Sequence, residues 1–98
     1  MITDELLQRV EEIENLSIKC QGSKEENNKF LLKAIKEHAQ EIEELFNKND
    51  THYQKETADM IILCLEFLIS NNVNPNDVIN IRLNRFIEKI KEICNENI

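Results

Sequence analysis

Gly22 and Pro75 are the only glycine and proline in this 98-residue chain, so the backbone has few places at which to reverse sharply. Tight hairpins rely on glycine for positive φ and on proline to pre-set a turn. Phosphate loops and dinucleotide fingerprints need several glycines within a few residues. Both are excluded, and long helices joined by short connections are left. The chain is predicted to be all-α, a single domain over 1–98.

Apolar spacing and capping residues divide the sequence into helices. Thr3 is predicted to cap a first helix whose apolar stripe is Leu6, Leu7, Val10, Ile13 and Leu16, fading at Cys20-Gln21-Gly22. Ser23-x-x-Glu26 is a capping box opening a second, with Phe30, Leu31, Ala34, Ile35, Ala39, Ile42, Leu45 and Phe46. Asn47-Lys48-Asn49-Asp50 breaks that pattern. Thr51-x-x-Gln54 is a second capping box, before a helix running to Ile69. Asn74 before Pro75 pairs a good N-cap with a proline at the first helical position, and Ile79, Leu83, Phe86, Ile87, Ile90 and Cys94 follow at helical spacing. Short loops between these segments predict an antiparallel four-helix bundle. Residues 60–69 are apolar on nearly every side, more than three partner helices of one small domain cover. The bundle is therefore expected to be completed by oligomerisation, as a homodimer or homotetramer.

Charge narrows the partners. A net charge of −7 argues against a nucleic-acid polymer, which is bound through clustered Lys and Arg. The apolar run at 60–69, interrupted by Glu66, is too short to span a bilayer. The N-terminus has neither a basic nor an apolar leader segment. Cys20, Cys64 and Cys94 are three in number and widely spaced, which suggests neither a disulfide framework nor a zinc knuckle. A cytoplasmic protein with reduced core thiols is expected, with no membrane partner.

Two acidic clusters carry the functional signal. Glu37-His38-x-x-Glu41 and Glu56-x-x-Asp59 each have an i,i+3 spacing that puts their members on one helix face. Those faces are apolar: His38 and Glu41 fall among Leu31, Ala34, Ile35, Ile42 and Leu45, and Glu56 and Asp59 among Met60, Leu63 and Phe67. Removing an unpaired carboxylate from water costs several kcal/mol. A small domain keeps such a cluster where something positive neutralises it, and a divalent cation does so best. With helices two and three antiparallel, and about 1.5 Å of rise per residue, the clusters lie within about one turn of each other in height. They can share one ion or an ion pair.

The order Ile35-x-Glu37-His38-Ala39-Gln40-Glu41-Ile42, a spacer, then Glu56-Thr57-Ala58-Asp59-Met60-Ile61 resembles the Glu-Glu-x-x-Glu plus Glu-x-x-Asp signature of MazG-like nucleoside triphosphate pyrophosphohydrolases. The likeness extends over most of the chain, through the lead helix, the apolar helix after the second cluster and the Asn-Asn-Val-Asn-Pro break. It implies a MazG-like helical bundle that hydrolyses an NTP or dNTP to the monophosphate and pyrophosphate with Mg²⁺, or with Mn²⁺ as the possible or preferred ion. Glu37 matches the first motif glutamate, His38 stands where the second belongs, Glu41 matches the third, and Glu56 and Asp59 match the second cluster. The implied metal ligands are His38, Glu41, Glu56 and Asp59, with Glu37 and Glu41 as the catalytic carboxylates, Glu37 orienting or deprotonating water. Arg82, Arg85 and Lys89 form one basic face of the last helix, either a phosphate-binding face or a solvated one.

His38 departs from the family pattern. It is a degenerate position in an inactive relative, a nitrogen ligand that favours Mn²⁺ over Mg²⁺, or a core histidine bonded to a carboxylate. The corresponding rival to the enzyme is a helical oligomerisation or regulatory module that has lost turnover. His52 falls one turn before Glu56 on the same side, as a further lining residue or an exposed helix-start histidine. Glu66 is either polar lining of the pocket or the partner of a basic residue. Tyr53 and Phe67 are core aromatics or a stacking surface for a base. A ferritin-like di-iron bundle is excluded, because neither histidine has glutamate three positions earlier.

Overall fold

The computed structural model describes residues 1–96, in which α1 (Asp4–Gln21), α2 (Lys24–Asn47), α3 (Tyr53–Ser70) and α4 (Pro75–Glu96) are the only regular elements. The all-α, four-helix expectation holds. Thr3 accepts a hydrogen bond from the Leu6 amide, and α1 ends at Gly22, whose φ of 97° is the left-handed conformation that glycine adopts without strain. Ser23 accepts from the Glu26 amide and opens α2. Asn74 Oδ1 accepts from the Asn76 amide, with Pro75 as the first residue of α4. Asn76 also exchanges two hydrogen bonds with the backbone of Ile2, at 3.0 and 2.9 Å, tying the start of the chain to the start of α4.

The α2–α3 turn differs from the expectation. Thr51 does not cap α3 through its side chain; residues 51–52 are a turn, and α3 starts at Tyr53 without a side-chain cap. Asp50 organises the connection instead, accepting from the His52 amide at 2.9 Å and lying 3.0 Å from His52 Nδ1. Those two bonds hold the Asp50 carboxyl below its usual pKa. Asn49 takes φ 60°, which asparagine tolerates. Phe46 and Tyr53 meet edge to face, centroids 5.2 Å apart, across the same turn. Tyr53 is therefore engaged with its own bundle and His52 with Asp50.

α2 and α3 run antiparallel as the main pair. Asn27 and Asn28 at the start of α2 bond Glu66 and Asn71 at the end of α3, while His38 farther along α2 faces Glu56 at the start of α3. α1 packs against both, and α4 packs against α3 alone. The buried apolar core is small: Val10, Leu31, Ala34 and Leu65. Closure within one chain is thus by three helices, with α4 attached to one of them. Cys20 and Cys94 are exposed, so only half-buried Cys64 fits the expectation of a core thiol; burial raises its pKa, and all three thiols are free. No helix among the described residues is long and apolar enough to cross a membrane.

The surface left open is large. The accessible area is 7686 Å², whereas a compact monomer of this mass exposes about 5,800 Å². The radius of gyration is 16.1 Å against about 13 Å for a compact domain of this length. Phe30 and Phe46 on α2, Ile61 on α3, and Ile81, Phe86 and Ile90 on α4 are all more than two-fifths exposed.

Candidate metal centre

The helical phase of α2 places Asn27, Leu31, Ala34 and His38 on one stripe, and the structure turns that stripe toward α3. His38 Nδ1 lies 2.8 Å from the Ala34 carbonyl oxygen one turn earlier. A carbonyl can only accept, so Nδ1 carries the proton and donates. The other nitrogen, Nε2, faces α3, 3.3 Å from Glu56 Oε2 and 3.9 Å from Asp59 Oδ2. His38 and Glu56 side chains are each 25% exposed and Asp59 is 58% exposed, so the group opens to solvent on the Asp59 side.

Glu56 Oε2 is buried and accepts no hydrogen bond. With the proton of a neutral imidazole committed to Ala34, Nε2 and Glu56 Oε2 present lone pairs to each other. That contact is repulsive unless a proton or a cation lies between them. One donor atom from each of His38, Glu56 and Asp59 falls within 4.8 Å of the others, close enough for all three to touch one ion. An imidazole nitrogen fixed by a backbone hydrogen bond on its other side is the usual form of a histidine metal ligand. The donor set therefore fits a divalent cation on this chain's own geometry.

Glu41 adjoins the group from α2. Its carboxyl pKa is raised, first by a hydrogen bond with Glu56 and next by the negative charge of Glu56, with His38 pulling the other way. Two carboxylates that interact this way share a proton or need a cation. The structure thus brings together His38, Glu56 and Asp59 of the predicted ligands, while Glu41, exposed on α2, reaches Glu56 without joining that group of three. Glu37 sits at the edge: it is 4.0 Å from Lys33 in an exposed pair and lines a polar groove on α2 with Gln40, Glu41 and Glu44. Arg82, Arg85 and Lys89 are not brought to the centre within one chain. The space beside them is lined only by α4 residues, and among the other helices α4 packs against α3 alone.

Glu66 lies 1% exposed beneath the same face, where it forms the floor of an apolar groove with Ile13, His38, Asp59, Ile62 and Leu63. Of the two expectations for it, polar lining of a pocket is the one realised. Asn27 Nδ2 donates to it at 3.0 Å, and Ser17 also bonds it, yet desolvation dominates and raises its pKa, with Glu14 adding to the effect. Asn27 Oδ1 and Ser70 Oγ are buried beside this region without hydrogen-bond partners. The fully buried Asn27 was missed by sequence reasoning, although its i, i+4, i+7 spacing to Leu31 and Ala34 was the available signal.

Because the folded state binds the Glu66 proton more tightly than the unfolded chain, that group's contribution to stability is greatest below the unfolded pKa. It is lost as pH rises through the folded value. Glu66→Gln keeps the acceptor for Asn27 and removes the desolvated charge. It should stabilise the protein by about 1 kcal/mol near neutral pH and by less near about pH 4, measured by urea unfolding. A gain independent of pH would show that folding leaves the Glu66 pKa unshifted.

No family model, curated protein or solved structure matches the chain.

Proposed function

We propose that this chain is a metal-dependent nucleoside triphosphate pyrophosphohydrolase of the MazG-like kind, cleaving an NTP or dNTP to the monophosphate and pyrophosphate. The observation that carries this reading is the convergence of His38 Nε2, Glu56 and Asp59 within 4.8 Å, with the Glu41 carboxyl held above its usual pKa by Glu56. It is the meeting of the two sequence clusters that the resemblance requires. His38, Glu41, Glu56 and Asp59 would hold Mg²⁺ or Mn²⁺. When bound, such an ion supplies positive charge for the phosphate oxygens and acidifies water.

The chain's own residues divide the remaining work. Glu56 and Glu41 position each other across α2 and α3, so that neither carboxylate swings free. Glu37, exposed beside Glu41 in a polar groove of α2, would accept the proton of the attacking water as the α–β phosphoanhydride breaks. The groove between Ile13 and Ile62 adjoins the acidic group and offers it an apolar wall. We place the protein in the cytoplasm, as a homo-oligomer whose second copy completes the helical bundle.

The test is a panel of NTPs and dNTPs with Mg²⁺ and with Mn²⁺, scored for pyrophosphate release. Release from at least one nucleotide, absent with EDTA, is expected. One specific observation favours a second reading, a catalytically degenerate oligomerisation or regulatory module: the substitution of histidine for a motif glutamate at position 38. Metal binding without release from any nucleotide would decide for that module.

A further inference from the structure

One face of α3 reads acid, apolar, apolar, acid. Asp59, Ile62, Leu63 and Glu66 stand at i, i+3, i+4 and i+7, so they line up along two turns of the helix. With Ile13 of α1 and His38 of α2 they line a groove of about 310 Å³. Ile13, Ile62 and Leu63 make its walls mainly apolar, and a carboxylate stands at each end.

The two carboxylates differ. Asp59 is 58% exposed at the mouth, whereas Glu66 is 1% exposed at the floor. Glu66 accepts from Asn27 Nδ2 at 3.0 Å and is also bonded by Ser17. An ionised carboxylate offers about four lone-pair sites, so these two neutral donors leave about half of them open. The ion pairs among the described residues do not include Glu66, and the charge that acts on it is that of Glu14, of the same sign. Its negative charge is therefore hydrogen-bonded but not neutralised. A cation is what offsets a buried charge of this kind.

The walls decide which cation. A metal ion would shed its water between Ile13, Ile62 and Leu63 and find a single carboxylate at the floor, a poor exchange for a strongly hydrated ion. An ammonium on an alkyl stem brings three donors for Glu66 and methylenes for the apolar walls. A stem of suitable length also brings a second ammonium to Asp59. Seven residues of α3 separate the two acids, about 10 Å along the helix axis. An extended chain advances about 1.2 Å per bond, and each ammonium nitrogen sits about 2.9 Å from its carboxylate oxygen. With five or six bonds between nitrogens, 1,4-diaminobutane and 1,5-diaminopentane reach about 12–13 Å and bridge the groove, whereas 1,2-diaminoethane reaches about 9 Å and falls short.

We propose that this groove binds a linear alkyl diammonium ion of about four or five methylenes, one ammonium on Glu66, the stem against Ile13, Ile62 and Leu63, and the other ammonium on Asp59. The site stands on the shape and charge of the groove and does not depend on nucleotide hydrolysis.

Calorimetric titration of the metal-free protein at constant ionic strength tests it. One 1,4-diaminobutane or 1,5-diaminopentane should bind per chain, about tenfold or more tighter than 1,2-diaminoethane or butylammonium. Glu66→Gln and Asp59→Asn should each weaken the diamine by about tenfold or more, while butylammonium should respond to Glu66→Gln alone. Glu44→Gln removes the same charge from the polar groove of α2 and should change nothing, which separates a site from the general attraction of an acidic chain for cations. Since Glu66→Gln is expected to be the more stable protein, its loss of binding cannot be loss of fold. The methyl resonances of Ile13 and Ile62 should shift on binding in the wild type. No diamine binding at millimolar concentration overturns the proposal. Equal affinity for wild type and Glu66→Gln also does so, as does an affinity indifferent to the length of the diamine.

Discussion

Wild-type protein should melt about 5–10 °C higher with Mn²⁺ at roughly ten times its dissociation constant than with EDTA, because such an excess stabilises the folded state by about 1.4 kcal/mol. Glu56→Gln should remove the rise. The substitution keeps the side-chain shape but takes away the charge on the oxygen that faces His38 Nε2 at 3.3 Å and that accepts no hydrogen bond. It also removes the carboxylate whose hydrogen bond and charge raise the Glu41 pKa, so the metal-free variant should melt no lower than metal-free wild type. Loss of the metal response therefore cannot be confused with loss of fold. Removing a residue that merely supports a ligand typically lowers metal affinity or activity by about 10–100-fold, so removing a ligand should reduce any pyrophosphate release by about 100-fold or more. Equal melting temperatures for wild type with EDTA, Mg²⁺ and Mn²⁺ would remove the central support for the metal centre.

The fold was legible wherever a local rule decided it. Thr3, Ser23 and Asn74 each accept the capping hydrogen bond expected of them, and Gly22 takes the positive φ that ends α1. Thr51 obeyed the same rule on paper and lost to Asp50, whose carboxylate is the stronger acceptor and lies one residue nearer the turn. Capping boxes can be read only when no better acceptor competes nearby. The meeting of His38 and Glu41 with Glu56 followed from helix rise and a short antiparallel connection. The Nδ1 bond to Ala34, which leaves Nε2 facing Glu56, depends on a rotamer and could not be read. Nor could the position of α4. Its stripe announces a buried face, but periodicity is silent on whether the covering surface belongs to the same chain, and here α4 meets only α3. The clearest miss is Asn27: a polar residue one turn before Leu31 on the apolar stripe of α2, it is completely buried against Glu66.

His38→Glu should reverse the metal preference of any activity this chain has. In the wild type one of the donors facing the ion site is an imidazole nitrogen, already fixed by its 2.8 Å bond to the Ala34 carbonyl and uncharged while its only proton is on Nδ1. Mg²⁺ favours hard oxygen donors and binds few nitrogen ligands, whereas Mn²⁺ accepts imidazole readily. Pyrophosphate release is therefore expected to be faster with Mn²⁺ than with Mg²⁺, by about tenfold. A glutamate at position 38 adds one negative charge and an oxygen donor, and Mg²⁺-dependent release should rise to meet or pass the Mn²⁺ rate. It also forfeits the bond to Ala34 and adds a fourth carboxylate beside Glu41, Glu56 and Asp59, so metal-free His38→Glu should melt below wild type and recover when metal is added. Glu41→Gln should lose turnover with either ion. A silent wild type made active by His38→Glu would identify the chain as a scaffold whose site is one ligand short of working. If neither protein releases pyrophosphate although both fold and bind metal, the acidic group serves binding and the helices serve assembly.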